Sequence, residues 1–180
     1  LLGTAIFVAA QSYGLHDARS SRAGEDALQY RGHSLTLPEV VTETQATKVF
    51  IMLGVNNYAG SQIENCIGWY GDTIDHIREA APDVGIYIES CTPVTAKGEK
   101  PKLNNANIDE FNAALQILCA DKGARYVDVS TALKDETNCL RSEYSSDNYV
   151  HMSHEGAAAF VSALYRYAYD SYANGEWEHP

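Results

Sequence analysis

The 180-residue sequence lacks long apolar runs and is poor in basic residues, and each shortage argues against a class of protein. No uninterrupted apolar stretch approaches the roughly 20 residues that a membrane-spanning helix needs, so we expect a soluble domain with no transmembrane segment. Only 13 residues are Lys or Arg, against 24 Asp or Glu, which gives a formal net charge of −11 at pH 7. Because nucleic-acid binding depends on cationic side chains that neutralise phosphates, we expect no nucleic-acid partner.

The sequence also lacks clustered cysteines. Its four cysteines form no CxxC pair and no Cys/His group with the spacing of a zinc site, so no metal is expected. We expect them to be buried free thiols, although disulfides, and with them a cytoplasmic or an exported location, stay open on the sequence alone. The cysteines are Cys66, Cys91, Cys119 and Cys139.

What the sequence does have is a regular alternation of short apolar segments and amphipathic helices. The apolar segments are rich in β-branched and aromatic residues, as parallel strands covered on both faces are. Pro82 and Gly123 stand where two of the helices are expected to stop. The pattern predicts one domain over residues 1–180, a three-layer α/β/α sandwich with a central parallel sheet. The predicted strands are TAIFVA (4–9), KVFIML (48–53), VGIYIE (84–89) and ARYVDV (124–129), and the helical apolar positions are Ile67, Tyr70, Ile74 and Ile77, then Ile108, Phe111, Leu115 and Leu118, then Phe160, Leu164 and Tyr167.

Polar residues directly after the second predicted strand are candidates for a binding site. Ligands of open α/β sheets bind beyond the carboxyl ends of the strands, and here the chain reads GVNNYAG (54–60). The carboxamide of Asn56 can donate hydrogen bonds to a developing oxyanion. In the alternative interpretation, Asn56 and Asn57 only satisfy backbone groups in a turn. None of the strand ends carries a Gly-rich phosphate loop, which argues against a flavodoxin-like nucleotide binder.

A second candidate group is the stretch DNYVHMSHEG (147–156), just before the last predicted helix. Ser153 is suited to cap that helix. Asp147 lies four residues before His151, and a carboxylate beside a histidine can fix its tautomer and stabilise the imidazolium, so that the histidine acts as a general base. His154 is a rival base, although its place one helical turn further on favours a solvated surface position.

Together these features resemble the SGNH hydrolases, also called GDSL-type esterases and lipases. The resemblance rests on GVNN after a core strand, TP after the next strand, and the Asp-to-His segment before the C-terminal helix. The phrases VFIMLGVNN, IESCTPV, LNNANIDEFNAAL and YSSDNYVHMS especially resemble GDSL-like proteins of anaerobic Gram-positive bacteria. The resemblance implies a flavodoxin-like fold and a serine ester hydrolase, an esterase, lipase or carbohydrate O-acetyl esterase. It would act on a small-molecule ester through an acyl-enzyme, with no metal or organic cofactor.

Carried over to this sequence, the resemblance implies that His151 is the general base, Asp147 its orienting acid and Asn56 an oxyanion-hole donor. Two positions depart from the family. The acid usually stands three residues before the histidine, where this sequence has Asn148, so a backbone carbonyl is the other possible partner. The family also tends to have an acid where this sequence has Asn57.

The largest departure is that no GDS motif, which carries the family's nucleophilic serine, occurs in the sequence. In the explanation we favour, residues 1–15 correspond to the family's second strand and the following glycine block. The serine then lies upstream of Leu1, and Ser12 or Gly14 is a backbone donor beside the oxyanion hole. In the second explanation, Ser12 is the nucleophile, ALQYRGHSLT (27–36) is the second strand, and Gly32 lies in the oxyanion hole.

The absent motif also keeps a second function open, a catalytically silent ligand-binding module on the same fold. For either function, four residues are candidates to line the pocket, although such side chains more often belong to the core. No oligomeric state is predicted. The pocket candidates are Tyr58, Trp69, Thr92 and Tyr149.

Overall fold

The structure is a computed structural model that describes residues 5–20, 24, 27–58 and 62–176. None of the helices in this part of the chain is both long and apolar enough to cross a membrane. The helices are α1 (Leu15–Ala18), α2 (Leu37–Glu43), α3 (Val55–Tyr58), α4 (Ile63–Ala80), α5 (Asn105–Lys122) and α6 (His154–Ala173), and the strands are β1 (Leu28–Tyr30), β2 (His33–Leu35), β3 (Lys48–Ile51), β4 (Gly85–Glu89) and β5 (Arg125–Val127).

The centre of the fold is a parallel sheet with the strand order β3-β4-β5. Ile51 pairs with Ile88, and Glu89 pairs with Val127, so the carboxyl ends of the three strands lie at one edge. Helices α4 and α5 cover one face and α6 covers the other. The prediction of a layered α/β fold with a parallel sheet is therefore confirmed, as are the strands within residues 48–53, 84–89 and 124–129.

The main core lies between the sheet and helices α4 and α5. The apolar positions predicted for α4 and α5 from helical spacing line it, and α4 ends just before Pro82. Gly123 terminates α5 with φ of 61°, a left-handed conformation that glycine adopts without strain. Fully buried side chains of these two helices are Tyr70, Ile74, Ile77, Ile108, Phe111 and Leu115.

A smaller core lies on the opposite face of the sheet. Tyr87, Val127 and Val129 are buried there beneath α6, which contributes Phe160, Ala163, Leu164 and Tyr167. All four cysteines are buried free thiols, as expected.

The predicted strand at residues 4–9 is wrong in the part that the structure describes. Residues 5–9 have no regular secondary structure, and residue 4 lies outside the described residues. A strand exists only when a neighbour completes its hydrogen-bond ladder, and no described strand lies beside this segment. Val8 instead packs in a small cluster with Tyr13, Leu28 and Val40, while Phe7 is 84% exposed.

The segment ALQYRGHSLT (27–36) is not a strand of the parallel sheet either. It forms the antiparallel hairpin of β1 and β2, which is a separate two-stranded sheet. The turn is made by Arg31 and Gly32, both with positive φ, as two-residue hairpin turns require. Gly32 is exposed in that turn, which removes the sheet position that the second explanation of the nucleophile gave to this segment.

Candidate active site

A cavity of about 150 Å³ opens at the carboxyl ends of the parallel strands. This is the edge at which ligands of open α/β sheets bind. The wall is built from residues 52–56, which follow β3, from Cys91 and Thr92, which follow β4, and from Tyr13. The cavity therefore includes Asn56, which follows the second predicted strand, and Thr92, one of the predicted pocket residues.

Asn56 and Asn57 attach the 13–15 loop to this edge, with different strengths. Asn57 Oδ1 accepts a hydrogen bond of 2.6 Å from the backbone N–H of Leu15, whereas Asn56 Nδ2 donates a longer one of 3.3 Å to the carbonyl of Tyr13. Asn57 thus has the turn-stabilising role of the alternative interpretation. Asn56 lines the cavity, and its weaker bond leaves its amide available to a ligand.

Glycine is required at position 14, where the 13–15 loop contacts Asn57 of α3. A Cβ atom at this position would lie 2.2 Å from Asn57 Oδ1, closer than any side chain permits. Its backbone N–H donates to Asp17 Oδ2 at 2.9 Å, so this amide is engaged within the loop rather than directed at the cavity. Ser12 is exposed, has φ of 61°, and is not among the residues that line the cavity.

Two buried asparagines of α5 hold the loop that follows β4. Asn112 accepts from the N–H of Cys91 at 2.7 Å and donates to its carbonyl at 2.9 Å. Asn105 makes the same pair of bonds to Val94, both at 2.9 Å. These residues were missed by the sequence reasoning. Their spacing of seven, which puts both on one face of a helix, was the available signal.

The Asp147 and His151 side chains are paired. His151 Nδ1 lies 2.6 Å from Asp147 Oδ2, and the imidazole is 76% exposed. Asp147 Oδ1 also accepts from the backbone amides of Tyr149 at 2.8 Å and His151 at 3.3 Å. The hydrogen bond from His151, followed by these backbone bonds, lowers the pKa of Asp147 to about 2.

The turn geometry explains why the acid stands four residues before the histidine. Asn148, at the position where the family has its acid, adopts φ of 57° inside the turn. Its carbonyl accepts a hydrogen bond of 2.6 Å from Thr95 Oγ1, which fixes the turn to the rest of the molecule. The carboxylate of Asp147, one residue before Asn148, is the group that contacts the ring of His151.

The same contacts place the histidine segment at the cavity edge of the sheet. The backbone N–H of Thr95 donates to the carbonyl of Tyr149 at 3.0 Å, and Thr95 belongs to the loop whose first residues line the cavity. His151 and Asn56 therefore lie at the same end of the sheet, although His151 does not itself line the cavity. His154 is the exposed first residue of α6, which Ser153 caps through a 3.1 Å bond from Gly156 N–H.

The remaining pocket candidates lie in different places. Thr92 lines the cavity. Tyr149 packs against Gly98, and Trp69 lies on α4 beside His16 and Arg19, at ring distances of 5.9 Å and 5.4 Å. The side chain of Tyr58 is outside the described part of the structure. Among the described residues, no three His, Cys, Asp or Glu side chains form a group that could hold a metal ion.

Comparisons with known proteins agree with this architecture. Residues 8–159 match the sequence model of the GDSL-like lipase/acylhydrolase family. A search of curated proteins finds no match. Similar solved structures are a GDSL-like lipase from Bacteroides thetaiotaomicron (17% identity, TM-score 0.60), a carbohydrate esterase family 3 structure from Talaromyces cellulolyticus (18%, 0.61) and a family 3 carbohydrate esterase from Clostridium thermocellum (16%, 0.60).

The alignments cover this chain more fully than they cover its neighbours. They include 74%, 85% and 88% of this chain, but only 67%, 65% and 66% of the three solved chains in the same order. The chain therefore spans about two thirds of the length of the structures it matches. At these sequence identities the similarity establishes the fold.

Proposed function

Because the chain belongs to the GDSL-like lipase/acylhydrolase family, we propose that it is a serine ester hydrolase in which His151 is the general base. The observation that carries the proposal is the 2.6 Å contact between His151 Nδ1 and Asp147 Oδ2 at the cavity edge of the sheet. A histidine held by a carboxylate through one ring nitrogen keeps the other nitrogen available for proton transfer.

Asp147 has the electrostatic role in this pair. With its pKa lowered to about 2, the carboxylate is ionised throughout the neutral pH range. It therefore holds the proton of His151 on Nδ1, leaves Nε2 as the base, and stabilises the imidazolium that forms during the reaction. Its bonds to two backbone amides fix its orientation.

Asn56 is the proposed oxyanion-hole donor. Asn56 lines the cavity, and its Nδ2 loses only a 3.3 Å hydrogen bond to the carbonyl of Tyr13 when it donates to a substrate instead. An amide donor at this position stabilises the negative oxygen that develops as the ester carbonyl becomes tetrahedral. Because Gly14 N–H is bonded to Asp17, the second donor would have to come from another group.

The reaction proceeds in two proposed steps. A serine hydroxyl attacks the ester carbonyl while its proton passes to His151, and the alcohol then leaves with that proton. Water next attacks the acyl-enzyme while His151 takes a proton from the water. His151 then gives this proton to the serine oxygen, and the acid and the free serine are released. The favoured source of the serine is a segment upstream of Leu1, and Ser12 is the second choice.

The cavity has room for a small acyl group. Its volume is about 150 Å³, and because it is open to solvent on one side it leaves space for the alcohol part of an ester. Two of the similar structures are carbohydrate esterases. We therefore place an O-acetylated sugar, or another short acyl ester, as the substrate class.

Hydrolysis of p-nitrophenyl acetate by the complete encoded polypeptide tests the proposal. His151→Ala is expected to lower kcat by about 10²- to 10⁴-fold, the usual contribution of a general base. His154→Ala is the matched control, since this exposed histidine starts α6, and its rate should stay near that of the wild type. Equal losses in the two variants, or binding of the ester without turnover in the wild type, would favour the ligand-binding module instead.

A further inference from the structure

Thr95 is a buried polar residue that connects the loop after β4 to the turn that carries His151. The first residues of this loop line the cavity, and Thr95 itself is buried. Thr95 Oγ1 donates a hydrogen bond of 2.6 Å to the carbonyl of Asn148, and its backbone N–H donates one of 3.0 Å to the carbonyl of Tyr149. One residue therefore binds two successive carbonyls of the turn.

The loop side of this connection is held firmly. Thr95 directly follows Val94, whose backbone N–H and carbonyl are both bonded to the buried side chain of Asn105 at 2.9 Å. The N–H of Gly98 lies 3.0 Å from Thr95 Oγ1 and 2.9 Å from the Thr95 carbonyl, and donates to both. The Thr95 hydroxyl thus donates one bond and accepts another, so its orientation is fixed by the loop.

The loop and the turn also pack directly against each other. A Cβ atom at Gly98 would lie 2.7 Å from Cδ2 of Tyr149 and 2.9 Å from its Cα atom. No side chain fits between the two segments at this point, which is why glycine is needed there. The hydrogen bonds of Thr95 therefore act across a close-packed contact.

The turn depends on being held from outside. Asn148 has φ of 57°, a conformation that residues other than glycine adopt rarely and that surrounding contacts have to maintain. It lies between Asp147 and His151, in a turn that the 2.9 Å bond from Ser146 N–H to the His151 carbonyl closes. If Asn148 relaxes, the 2.6 Å contact between the carboxylate and the imidazole changes with it.

We propose that Thr95 is a positioning residue for His151. By binding the carbonyl of Asn148, the Thr95 hydroxyl holds Asp147 and His151 in the geometry that keeps the imidazole proton on Nδ1. Thr95 acts through the turn and is not among the residues that line the cavity. Its effect on catalysis rests on the proposed function, whereas its effect on the imidazole of His151 does not.

Two substitutions at position 95 separate the hydroxyl from the shape of the side chain. Thr95→Val keeps the shape and removes the hydroxyl, and Thr95→Ser keeps the hydroxyl. With p-nitrophenyl acetate and the complete encoded polypeptide, kcat of Thr95→Val should fall about 10- to 100-fold, as misplaced catalytic groups do, while KM stays near the wild-type value. Thr95→Ser should retain most of the wild-type kcat.

Thr73→Val is the matched control. Thr73 is a fully buried threonine of α4, and its Oγ1 donates to the carbonyl of Trp69 at 2.8 Å, so the same chemical change is made away from the histidine turn. We expect kcat to stay at the wild-type value. If Thr95→Val does not fold, Thr95→Ala, which puts no methyl group beside the carbonyl of Asn148, should show the same loss of rate.

The ring nitrogens of His151 give a readout that is independent of hydrolysis. Their ¹⁵N chemical shifts in the neutral imidazole report which nitrogen carries the proton, and the signals are assigned by their loss in His151→Ala. The proton should be on Nδ1 in the wild type, in Thr95→Ser and in Thr73→Val. It should be shared between both nitrogens in Thr95→Val, because the carboxylate no longer fixes one tautomer.

The proposal is overturned if Thr95→Val keeps either the wild-type tautomer or the wild-type kcat. It is also overturned if Thr95→Ser or Thr73→Val loses as much rate as Thr95→Val. The two readouts separate this proposal from the proposed function. A changed tautomer in a polypeptide that hydrolyses no ester supports the positioning and contradicts the hydrolase, and hydrolysis with an unchanged tautomer in Thr95→Val does the reverse.

Discussion

At the scale of single residues, Asn56 and Asn57 are adjacent and chemically identical but have different expected roles. Asn57→Ala leaves the buried N–H of Leu15 without its 2.6 Å partner, so we expect it to destabilise the fold by about 1–3 kcal/mol. Asn56→Ala loses only a 3.3 Å bond but removes the proposed oxyanion donor, and kcat should fall by about 10²- to 10³-fold.

Urea unfolding and ester hydrolysis measured on both variants separate these effects. The expected result is a loss of rate without a loss of stability for Asn56→Ala and the larger loss of stability for Asn57→Ala. The assignment of Asn56 as donor is wrong if its variant hydrolyses ester at the wild-type rate.

Glu89, a buried carboxyl at the end of β4, makes stability depend on pH. Burial raises its pKa from 4.5 to about 7, so the folded state binds the proton more tightly than the unfolded state. The contribution of Glu89 to the free energy of unfolding is therefore greatest below pH 4.5 and decreases as the pH rises towards 7. Glu89→Gln stays neutral, and we expect it to be more stable than the wild type at pH 8 by up to about 3 kcal/mol.

The measurement for Glu89 is urea unfolding at pH 5 and pH 8. Glu79→Gln, at an exposed position of α4, is the control and should change the free energy of unfolding little at either pH. A Glu89→Gln variant that loses stability at pH 8 would show that the carboxylate is stabilised there by a partner rather than penalised by burial.

Part of the candidate site was predictable at this scale. The Asp147 and His151 pairing follows from a spacing that one turn of chain can close, and the structure brings the two side chains together. The spacing of seven puts Asn105 and Asn112 on one face of a helix, but their role could not be predicted, because the loop groups they bond to are known only from the structure.

At the scale of elements, the start of α6 holds the histidine segment in place. A Cβ atom at Gly156 would lie 2.3 Å from the carbonyl oxygen of Tyr144, which also accepts the N–H of Ser153 at 2.8 Å. Gly156→Ala must therefore displace the helix start from the preceding turn, and we expect a loss of about 1–3 kcal/mol with a lower rate of ester hydrolysis.

Gly68→Ala is the matched control for this helix start. Gly68 lies inside α4, and apart from the adjacent residues and the backbone of the helix itself no atom lies within 4 Å of the place that an added methyl group would take. Alanine should therefore stabilise the protein by about 0.5–1 kcal/mol and leave the rate unchanged. Thermal unfolding and the hydrolysis assay check both variants. If Gly156→Ala changes neither the stability nor the rate of hydrolysis, the contact to Tyr144 does not position the segment that carries His151.

The elements that the sequence predicted correctly are those that have a neighbouring strand. Strands β3, β4 and β5 are mostly apolar and each pairs with at least one neighbour in the sheet, so composition and environment agree. Residues 5–9 have a similar composition, but no strand that the structure describes lies beside them, so they lack the hydrogen bonds that would make them a strand. The 27–36 hairpin was missed because its two halves resemble one strand in composition. The turn at Arg31 and Gly32, both with positive φ, reverses the chain and pairs the two halves with each other.

At the scale of the whole molecule, the fold brings the proposed general base His151 and the proposed amide donor Asn56 to one end of a parallel sheet, beside the cavity. The nucleophile is the group that joins them in the proposed reaction.

The most direct measurement is covalent labelling of the complete encoded polypeptide with a fluorophosphonate, followed by peptide mapping. The account predicts one labelled serine, upstream of Leu1, with labelling lost in His151→Ala and kept in His154→Ala. A label on Ser12 would contradict the favoured position of the nucleophile, and an unlabelled protein, or equal labelling of His151→Ala and the wild type, would contradict the hydrolase itself.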